Sequence, residues 1–145
     1  MTNPEIRSKE ILAKLKERGY KVTPQRLAII KILARSEGHP SVEEIFERLQ
    51  KDFQGMSQAT VYRTVMLIKS LGEVLELGFA DGSNRYDGNK PFPHPHVICT
   101  RCGKIFDPAL SSLEDITREI TESGFTIETY RLDFFGVCAQ CRAKT

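Results

Sequence analysis

Four cysteines arranged as two pairs carry the clearest chemical signature in the chain. The pairs are Cys99-Thr100-Arg101-Cys102 and Cys138-Ala139-Gln140-Cys141. Each pair can place two thiolates on one ion from a tight turn, and four thiolates complete a closed tetrahedral zinc site. The 35 residues between the pairs exceed the usual zinc-ribbon gap, but a helix and a strand can fill that interval. We therefore predict one structural Zn²⁺ held by Cys99, Cys102, Cys138 and Cys141.

Redox-active pairs and disulfides are the alternatives for these cysteines. A redox role usually needs only one pair, and disulfides are unusual in a cytosolic chain. The N-terminus, Met1 to Glu5, lacks the apolar core of a signal peptide, and no stretch of the sequence approaches the roughly 18 apolar residues that span a bilayer. The sequence therefore predicts a cytoplasmic protein with no membrane partner, which favours zinc.

A second candidate metal site lies just before the first cysteine. His94 and His96 form a His-x-His motif, and in extended backbone alternate side chains face the same way. Asp87 precedes this motif and Asp107 follows it. Nitrogen and carboxylate ligands suit Fe²⁺, Mn²⁺ or Zn²⁺ and exchange more readily than four thiolates. The spacing indicates a regulatory metal, although an isolated histidine is more often a surface or core residue, and spacing leaves open whether His39 takes part.

The elements that must position these side chains divide into two halves. In the first half an amphipathic pattern predicts a helix over Ile6–Gly19, and Thr23, Ser41 and Ser57 are typical helix N-caps. After Gly72 the period changes to that of a β-hairpin over 74–86. A hairpin directly behind a helix-turn-helix predicts a winged DNA-binding domain.

The second half predicts strands on both sides of the first cysteine pair. They are followed by a helix capped by Ser111 and by one long strand over Phe125–Val137. We predict an α+β fold with an N-terminal winged helix-turn-helix domain over 1–86, a linker over 87–93 and a C-terminal α/β dimerisation and metal-binding domain over 94–145.

Charge is distributed unevenly although the net charge is only +2. Residues 7–36 hold nine basic and two acidic side chains, whereas residues 89–145 hold seven of each sign. A basic N-terminal half suits contact with a polyanion, although a solvated helix face gives the same pattern.

Several segments together resemble the ferric uptake regulator family over nearly the whole chain. They are Thr23-Pro24-Gln25-Arg26, His39-Pro40-Ser41, the run from Ser57 to Thr64, the run from His94 to Lys104, and the closing Cys-x-x-Cys. The resemblance implies a homodimer that binds inverted-repeat operator DNA, and a regulatory metal bridging the two domains. Carried over residue by residue, the ligands implied for that metal are His39, Asp87, His94, His96 and Asp107.

Within this family the chain is most similar to the peroxide-sensing PerR branch, because Asp107 stands where iron sensors usually have Glu. Ser83 to Asp87 and Tyr130 to Cys138 are also PerR-like. Arg63 departs from that branch, and the segment between Asp87 and His94 is longer and rich in proline. A further exchangeable site found in many relatives is not expected, since Pro95 replaces its carboxylate and no histidine follows His96.

The helix from Ser57 to Leu71 is the predicted recognition helix. Tyr62 and Arg63 are expected near bases, with Ser57 and Thr60 at the same helix end, and Lys16, Arg18 and Arg26 near phosphates. There is an alternative to base contact for each of the two residues: Tyr62 could pack against the protein core, and Arg63 could contact phosphate without contacting a base.

These observations predict a metal-dependent repressor that is not an enzyme and has no small-molecule substrate. By the resemblance, peroxide acting at bound Fe²⁺ oxidises His39 or His94 and releases the DNA. An iron or zinc uptake regulator is the alternative within the family. A zinc-dependent enzyme is another, but the sequence supplies no catalytic base paired with a substrate pocket. A structural interaction module is a third.

Overall fold

The computed structural model describes residues 2–79 and 81–144, so Ala80 of the expected hairpin lies outside the described residues. The chain forms two units, Met1–Phe92 and Pro93–Thr145, here called the N-terminal and the C-terminal unit. Both contain helices and strands, in agreement with the expected α+β class. In the described ranges, no helix is long and apolar enough to cross a membrane.

The described residues of the N-terminal unit form four helices followed by a hairpin. The helices are α1 (Pro4–Glu17), α2 (Pro24–Arg35), α3 (Val42–Leu49) and α4 (Gln58–Ser70). The hairpin pairs β1 (Leu75–Leu77) with β2 (Arg85–Asp87) in antiparallel register, so that Glu76 lies opposite Tyr86. The last three of these helices, α2 to α4, followed by the hairpin as the wing, form a winged helix-turn-helix.

Side-chain caps fix where these helices begin. Thr23 accepts the backbone N–H of Arg26, Ser41 accepts that of Glu44, and Ser57 accepts that of Thr60. Each cap satisfies one of the backbone donors that the first turn of a helix leaves unpaired, a contribution of about 1 kcal/mol. The first helix begins at Pro4, earlier than expected, because Asn3 caps it and accepts from Glu5 and Ile6.

One aliphatic core holds the N-terminal unit together. Burying each such side chain contributes about 1.5–3 kcal/mol. The core side chains come from all four helices, from the hairpin and from the turns on either side of α4: Ile11, Leu15, Ile29, Ile30, Leu33, Val42, Ile45, Leu49, Met56, Val61, Val65, Ile68, Val74 and Tyr86.

The C-terminal unit is built on a three-stranded sheet with the order β4-β3-β5. The central strand β3 (His96–Cys99) runs antiparallel to β4 (Ile105–Phe106) and parallel to β5 (Asp133–Gly136). A parallel pair needs a crossover connection, and α5 (Leu113–Glu122) lies within it. A short helix, α6 (Ala139–Ala143), follows β5.

Two details of the C-terminal expectations are corrected. The long strand over Phe125–Val137 is wrong: only Asp133–Gly136 pairs, because β-branched and aromatic composition makes a strand only where a partner strand is available. Ser111 is not the helix cap, since α5 begins after Ser112 and neither a hydroxyl nor an amide caps it.

The boundary between the units also differs from the expected linker over 87–93. The N-terminal unit extends to Phe92. Gly88 and Asn89 pack within it, because Gly88 N–H donates to Leu33 O and Asn89 donates to Ala34 O. Both bonds satisfy carbonyls at the C-terminal end of α2, which the helix itself leaves unpaired.

Candidate metal centres and DNA-reading surface

The parallel pairing of β3 with β5 brings the two cysteine pairs together. Cys99 ends β3 opposite Gly136, and Cys138 lies two residues beyond the end of β5. The four cysteine sulfurs, those of Cys99, Cys102, Cys138 and Cys141, all lie within 4.8 Å of one another. The sulfurs of Cys102 and Cys138 are 3.8 Å apart and all four cysteines are free thiols. A tetrahedral Zn–S distance of about 2.3 Å requires sulfurs about 3.8 Å apart, so the cluster fits zinc.

The four thiols are close enough to shift one another's pKa values. Backbone N–H groups of Cys102 and Cys138 lower the pKa of the Cys99 thiol to about 5. Hydrogen bonding with Cys138 raises the pKa of the Cys141 thiol to about 12. Both shifts follow from the close approach of the four thiols, and the fit of the cluster to zinc rests on its sulfur spacing.

A separate group of nitrogen and oxygen ligands lies in the C-terminal unit. Nε2 of His94 is 3.4 Å and Nε2 of His96 is 3.7 Å from Oδ1 of Asp107. The two imidazole rings are 4.3 Å apart and both histidines are buried. Two buried imidazoles facing one carboxylate oxygen are a donor set that suits Fe²⁺, Mn²⁺ or Zn²⁺.

Asp133 contacts this group from behind His96, and the sequence analysis missed it. The register of β3 with β5 places it opposite His96, and its Oδ1 lies 3.7 Å from His96 Nδ1. A carboxylate on that side favours the tautomer with the proton on Nδ1 and leaves Nε2 for a metal. The available signal was an acidic residue inside an apolar stretch expected to be a strand.

The N-terminal unit presents the remaining two expected ligands as a pair. Nε2 of His39 lies 3.3 Å from Oδ2 of Asp87, and both side chains are buried. The other oxygen of Asp87, Oδ1, accepts the backbone N–H groups of Asn89 and Lys90. The backbone of His39 is left-handed, with φ of 50°. The Arg85 side chain donates to the carbonyls of Gly38 and His39 and so holds this stretch of backbone. The local fold therefore orients both side chains.

The expected DNA-reading residues surround the N-terminal end of α4. Tyr62 is 53% exposed and Arg63 is exposed, so neither belongs to the core. Arg63 donates to the Thr60 hydroxyl, which also contacts the Ser57 hydroxyl. These side chains form one polar surface on the first turns of the helix.

A cleft of about 600 Å³ separates this end of α4 from the start of α2. Arg26 lines it together with Lys21 and Arg63, and Arg26 also donates to the Lys21 carbonyl. Lys16 and Arg18 are exposed at the C-terminal end of α1. The surface around the cleft is therefore basic, as contact with phosphates requires.

The wing is tied to α4 through Glu76, which the sequence analysis also missed. Its carboxylate accepts hydrogen bonds from Lys69 of α4, from Asn84 and from the Tyr86 hydroxyl. Burial raises the pKa of Glu76, but these hydrogen bonds outweigh burial and the net pKa lies below its ordinary value. Burial and the Glu76 carboxylate raise the pKa of Tyr86, which therefore remains a hydrogen-bond donor.

Comparison with known proteins identifies the family. A model of the ferric uptake regulator family matches residues 17–135. The chain belongs to the ferric uptake regulator family. The peroxide-responsive repressor PerR of Staphylococcus aureus (strain USA300) is 38% identical over 138 residues, which cover 93% of this chain and 91% of that protein.

Solved structures agree with this assignment. The ferric uptake regulator Fur of Helicobacter pylori, described as having three functional metal-binding sites, aligns with a TM-score of 0.81 at 25% identity over 97% of this chain and 95% of that one. PerR of Streptococcus pyogenes, described in terms of peroxide sensing and gene regulation, aligns with a TM-score of 0.54 at 32% identity over 92% of each chain.

Family membership confirms the expected resemblance and the winged-helix α+β fold class. It also confirms that the chain is a transcriptional regulator of a metal-binding family rather than an enzyme.

Proposed function

We propose that this ferric uptake regulator family member represses transcription as a homodimer on inverted-repeat operator DNA and responds to peroxide through a regulatory metal. The observation that carries the proposal is the division of the nitrogen and oxygen ligands. The DNA-reading unit supplies the pair His39 and Asp87, and the C-terminal unit supplies His94, His96 and Asp107. Neither set alone completes the coordination that Fe²⁺ or Mn²⁺ prefers.

The proposed switch follows from that division. One ion held by all five side chains requires one particular arrangement of the two units. Binding of the ion therefore shifts the population toward that arrangement. The size of the shift is set by how much more tightly the ion binds that arrangement than it binds the others. If this arrangement presents both recognition helices of a dimer to the two half-sites, metal binding and operator binding become coupled.

Structural zinc is proposed for the four cysteines. The spacing of their sulfurs supports it. Four thiolates around an inert ion tie the end of β3 to the end of β5, which are far apart in sequence. Zinc affinity at this site would then be folding energy for the C-terminal unit.

A second copy of the chain is the proposed partner of the C-terminal unit. This unit exposes many large apolar side chains: Phe106, Leu110, Ile116, Ile120, Phe125, Phe134, Phe135 and Val137. Its outer strand β5 has a neighbour on one side only among the described residues. Monomeric proteins rarely expose so much apolar surface, and an open strand edge is a ready template for pairing.

DNA contact is proposed for α4 and the basic surface around its first turns. Tyr62 and Arg63 would reach base edges from the major groove, with Ser57 and Thr60 beside them. Lys16, Arg18 and Arg26 would contact phosphates. Binding of chromosomal DNA would place the protein in the cytoplasm.

Peroxide sensing is the finer part of the proposal, and similarity to the PerR repressors supports it together with Asp107. Bound Fe²⁺ would supply the redox chemistry that lets one hydrogen peroxide transfer an oxygen atom to an imidazole carbon, with one water released. His39 and His94 are the proposed targets. An oxidised imidazole is a poor ligand, so either modification removes the bias toward the DNA-binding arrangement.

The test measures binding to an inverted-repeat duplex selected from a random pool by the Mn²⁺-loaded protein. Fluorescence anisotropy follows the complexes of Fe²⁺-loaded and Mn²⁺-loaded protein after mild peroxide treatment, and mass spectrometry of tryptic peptides locates added oxygen. We expect release and oxygen on His39 or His94 with iron only. Iron-independent release, or oxidation confined to cysteines, would leave a metal sensor without peroxide chemistry. Binding that ignores metal altogether would reject the regulatory site.

A further inference from the structure

Arg7 of α1 is a buried cation that the proposed function does not use. It is 5% exposed, although a basic residue on an amphipathic surface helix is ordinarily solvated. Its guanidinium donates hydrogen bonds to three other residues of the N-terminal unit. Nη1 donates to Glu10, Nη2 donates to both the carbonyl and the carboxylate of Glu73, and Nε donates to the carbonyl of Gly88 at 2.7 Å.

These bonds join three segments that are distant in sequence. Glu73 follows the C-terminal cap of α4, the proposed recognition helix. Gly88 follows Asp87, a proposed metal ligand. Arg7 lies on α1 and donates to both Glu73 and Gly88. One planar guanidinium therefore fixes the position of the segment that contains Asp87 relative to the end of α4. Lysine could not do this, since its ammonium lacks the fork of donors.

The segment that Arg7 holds is fixed from its other side as well. Gly88 N–H donates to Leu33 O, and a Cβ at Gly88 would lie 2.7 Å from that oxygen. Asn89 is 2% exposed, donates to Ala34 O and Thr2 O, and accepts from Thr2 N–H. The backbone beside Asp87 is therefore clamped between α1 and the end of α2.

The clamp determines where the Asp87 carboxylate points. With the backbone of residues 88–90 held, the N–H groups of Asn89 and Lys90 engage Oδ1, and Oδ2 is the oxygen that faces His39. Groups behind metal ligands that orient them typically change metal affinity by about 10-fold to 100-fold when removed.

We propose that Arg7 is a positioning residue for the regulatory metal: it orients Asp87 for metal binding and links that ligand mechanically to the end of α4. This inference rests on the proposed function. A purely structural role for Arg7 would lower the stability of the N-terminal unit but leave the metal affinity of the folded protein unchanged. Metal affinity and stability therefore separate the two roles.

The test compares Mn²⁺ affinity by isothermal titration calorimetry in zinc-retaining protein, at a temperature where thermal unfolding shows each variant folded. The main variant is Arg7→Met with Glu73→Gln, which removes the guanidinium without leaving the half-buried Glu73 carboxylate without its cation. Glu10→Gln is the matched control, because it removes an exposed partner of the same guanidinium and leaves the clamp intact.

We expect Mn²⁺ binding to weaken about 10-fold or more in the double variant and to stay within about twofold in the control, with one zinc per chain in both. Amide exchange at Gly88 and Asn89 in metal-free protein should accelerate in the double variant only. If that protein does not fold, Arg7→Lys serves in its place, and we expect its affinity to fall about threefold to tenfold.

Wild-type Mn²⁺ affinity in a folded Arg7 variant would overturn the inference. Failure of the proposed function has a different signature. In that case the substitution His94→Ala would leave the Mn²⁺ binding of wild-type protein unchanged, or wild-type protein would bind no Mn²⁺ at all.

Discussion

Gly88→Ala is the substitution whose effect the structure specifies most closely. An added Cβ would lie 2.7 Å from Leu33 O and 2.8 Å from Leu33 Cβ, closer than real side-chain carbons approach such atoms. Both neighbours belong to α2, which the core holds in place. The segment of residues 87–90 must therefore move away from α2.

The cost follows from what the movement breaks. Overpacking in a buried site costs about 1–3 kcal/mol. Stretching the bond from Gly88 N–H to Leu33 O adds about 1 kcal/mol, since the carbonyl stays at a helix end that the segment covers. The free energy of unfolding should fall by about 2–4 kcal/mol, which lowers the melting temperature of a domain of this size by at least about 8 °C.

The assay is thermal unfolding followed by circular dichroism at 222 nm in metal-chelated buffer that spares the zinc. Gly78→Ala is the matched control in the same unit, because the nearest atom to its Cβ is Asn84 Oδ1 at 3.7 Å, an ordinary contact. A Gly88→Ala protein that melts within about 2 °C of wild type, like the control, would refute the packing argument and the rigidity assigned to this segment.

Three further outcomes are expected. Cys138→Ser should lose zinc by elemental analysis and dissociate to monomer in size-exclusion chromatography, whereas a zinc-free dimer would contradict the structural role of the cluster. Arg63→Ala should weaken operator binding by about 1–3 kcal/mol with relaxed preference at one base pair if it reads a base, or reduce the salt slope by about one if it contacts phosphate. Unchanged affinity and slope would remove Arg63 from the interface. Because the folded pKa of Glu76 is lowered, its stabilisation is present above the unfolded value near 4.5 and disappears as pH falls through the folded pKa. Glu76→Gln should therefore be less stable than wild type in urea at pH 7, by a difference that shrinks as pH falls below about 4.5, and a pH-independent difference would contradict this.

Local signals predicted much of the N-terminal unit. Thr23, Ser41 and Ser57 all cap helices, because capping depends on residues only three positions away. The Cys-x-x-Cys pairs and the His-x-His motif likewise carry their chemistry in short spacing. The sequence therefore sufficed to name both candidate ligand sets, with His39 added by family resemblance.

What the sequence did not reveal depends on contacts between distant segments. Asp133 joins His96 only through the register of a parallel pair, and no local pattern specifies that register. Arg7 reads as one more solvated basic residue, although its partners Glu73 and Gly88 bury it. The strand expected over Phe125–Val137 failed for the same reason, because composition alone does not say how much of a segment finds a partner.

The coupling of metal to DNA is the central claim, and thermodynamic linkage tests it most directly. Mn²⁺ affinity is measured by calorimetry with and without the selected inverted-repeat duplex, and duplex affinity with and without Mn²⁺. Linkage requires the two ratios to be equal, and couplings of this kind are typically about 5-fold to 150-fold. We expect equal ratios in that range for wild type and ratios of one for His96→Ala. A wild-type protein that binds Mn²⁺ equally well with and without the duplex would contradict the account.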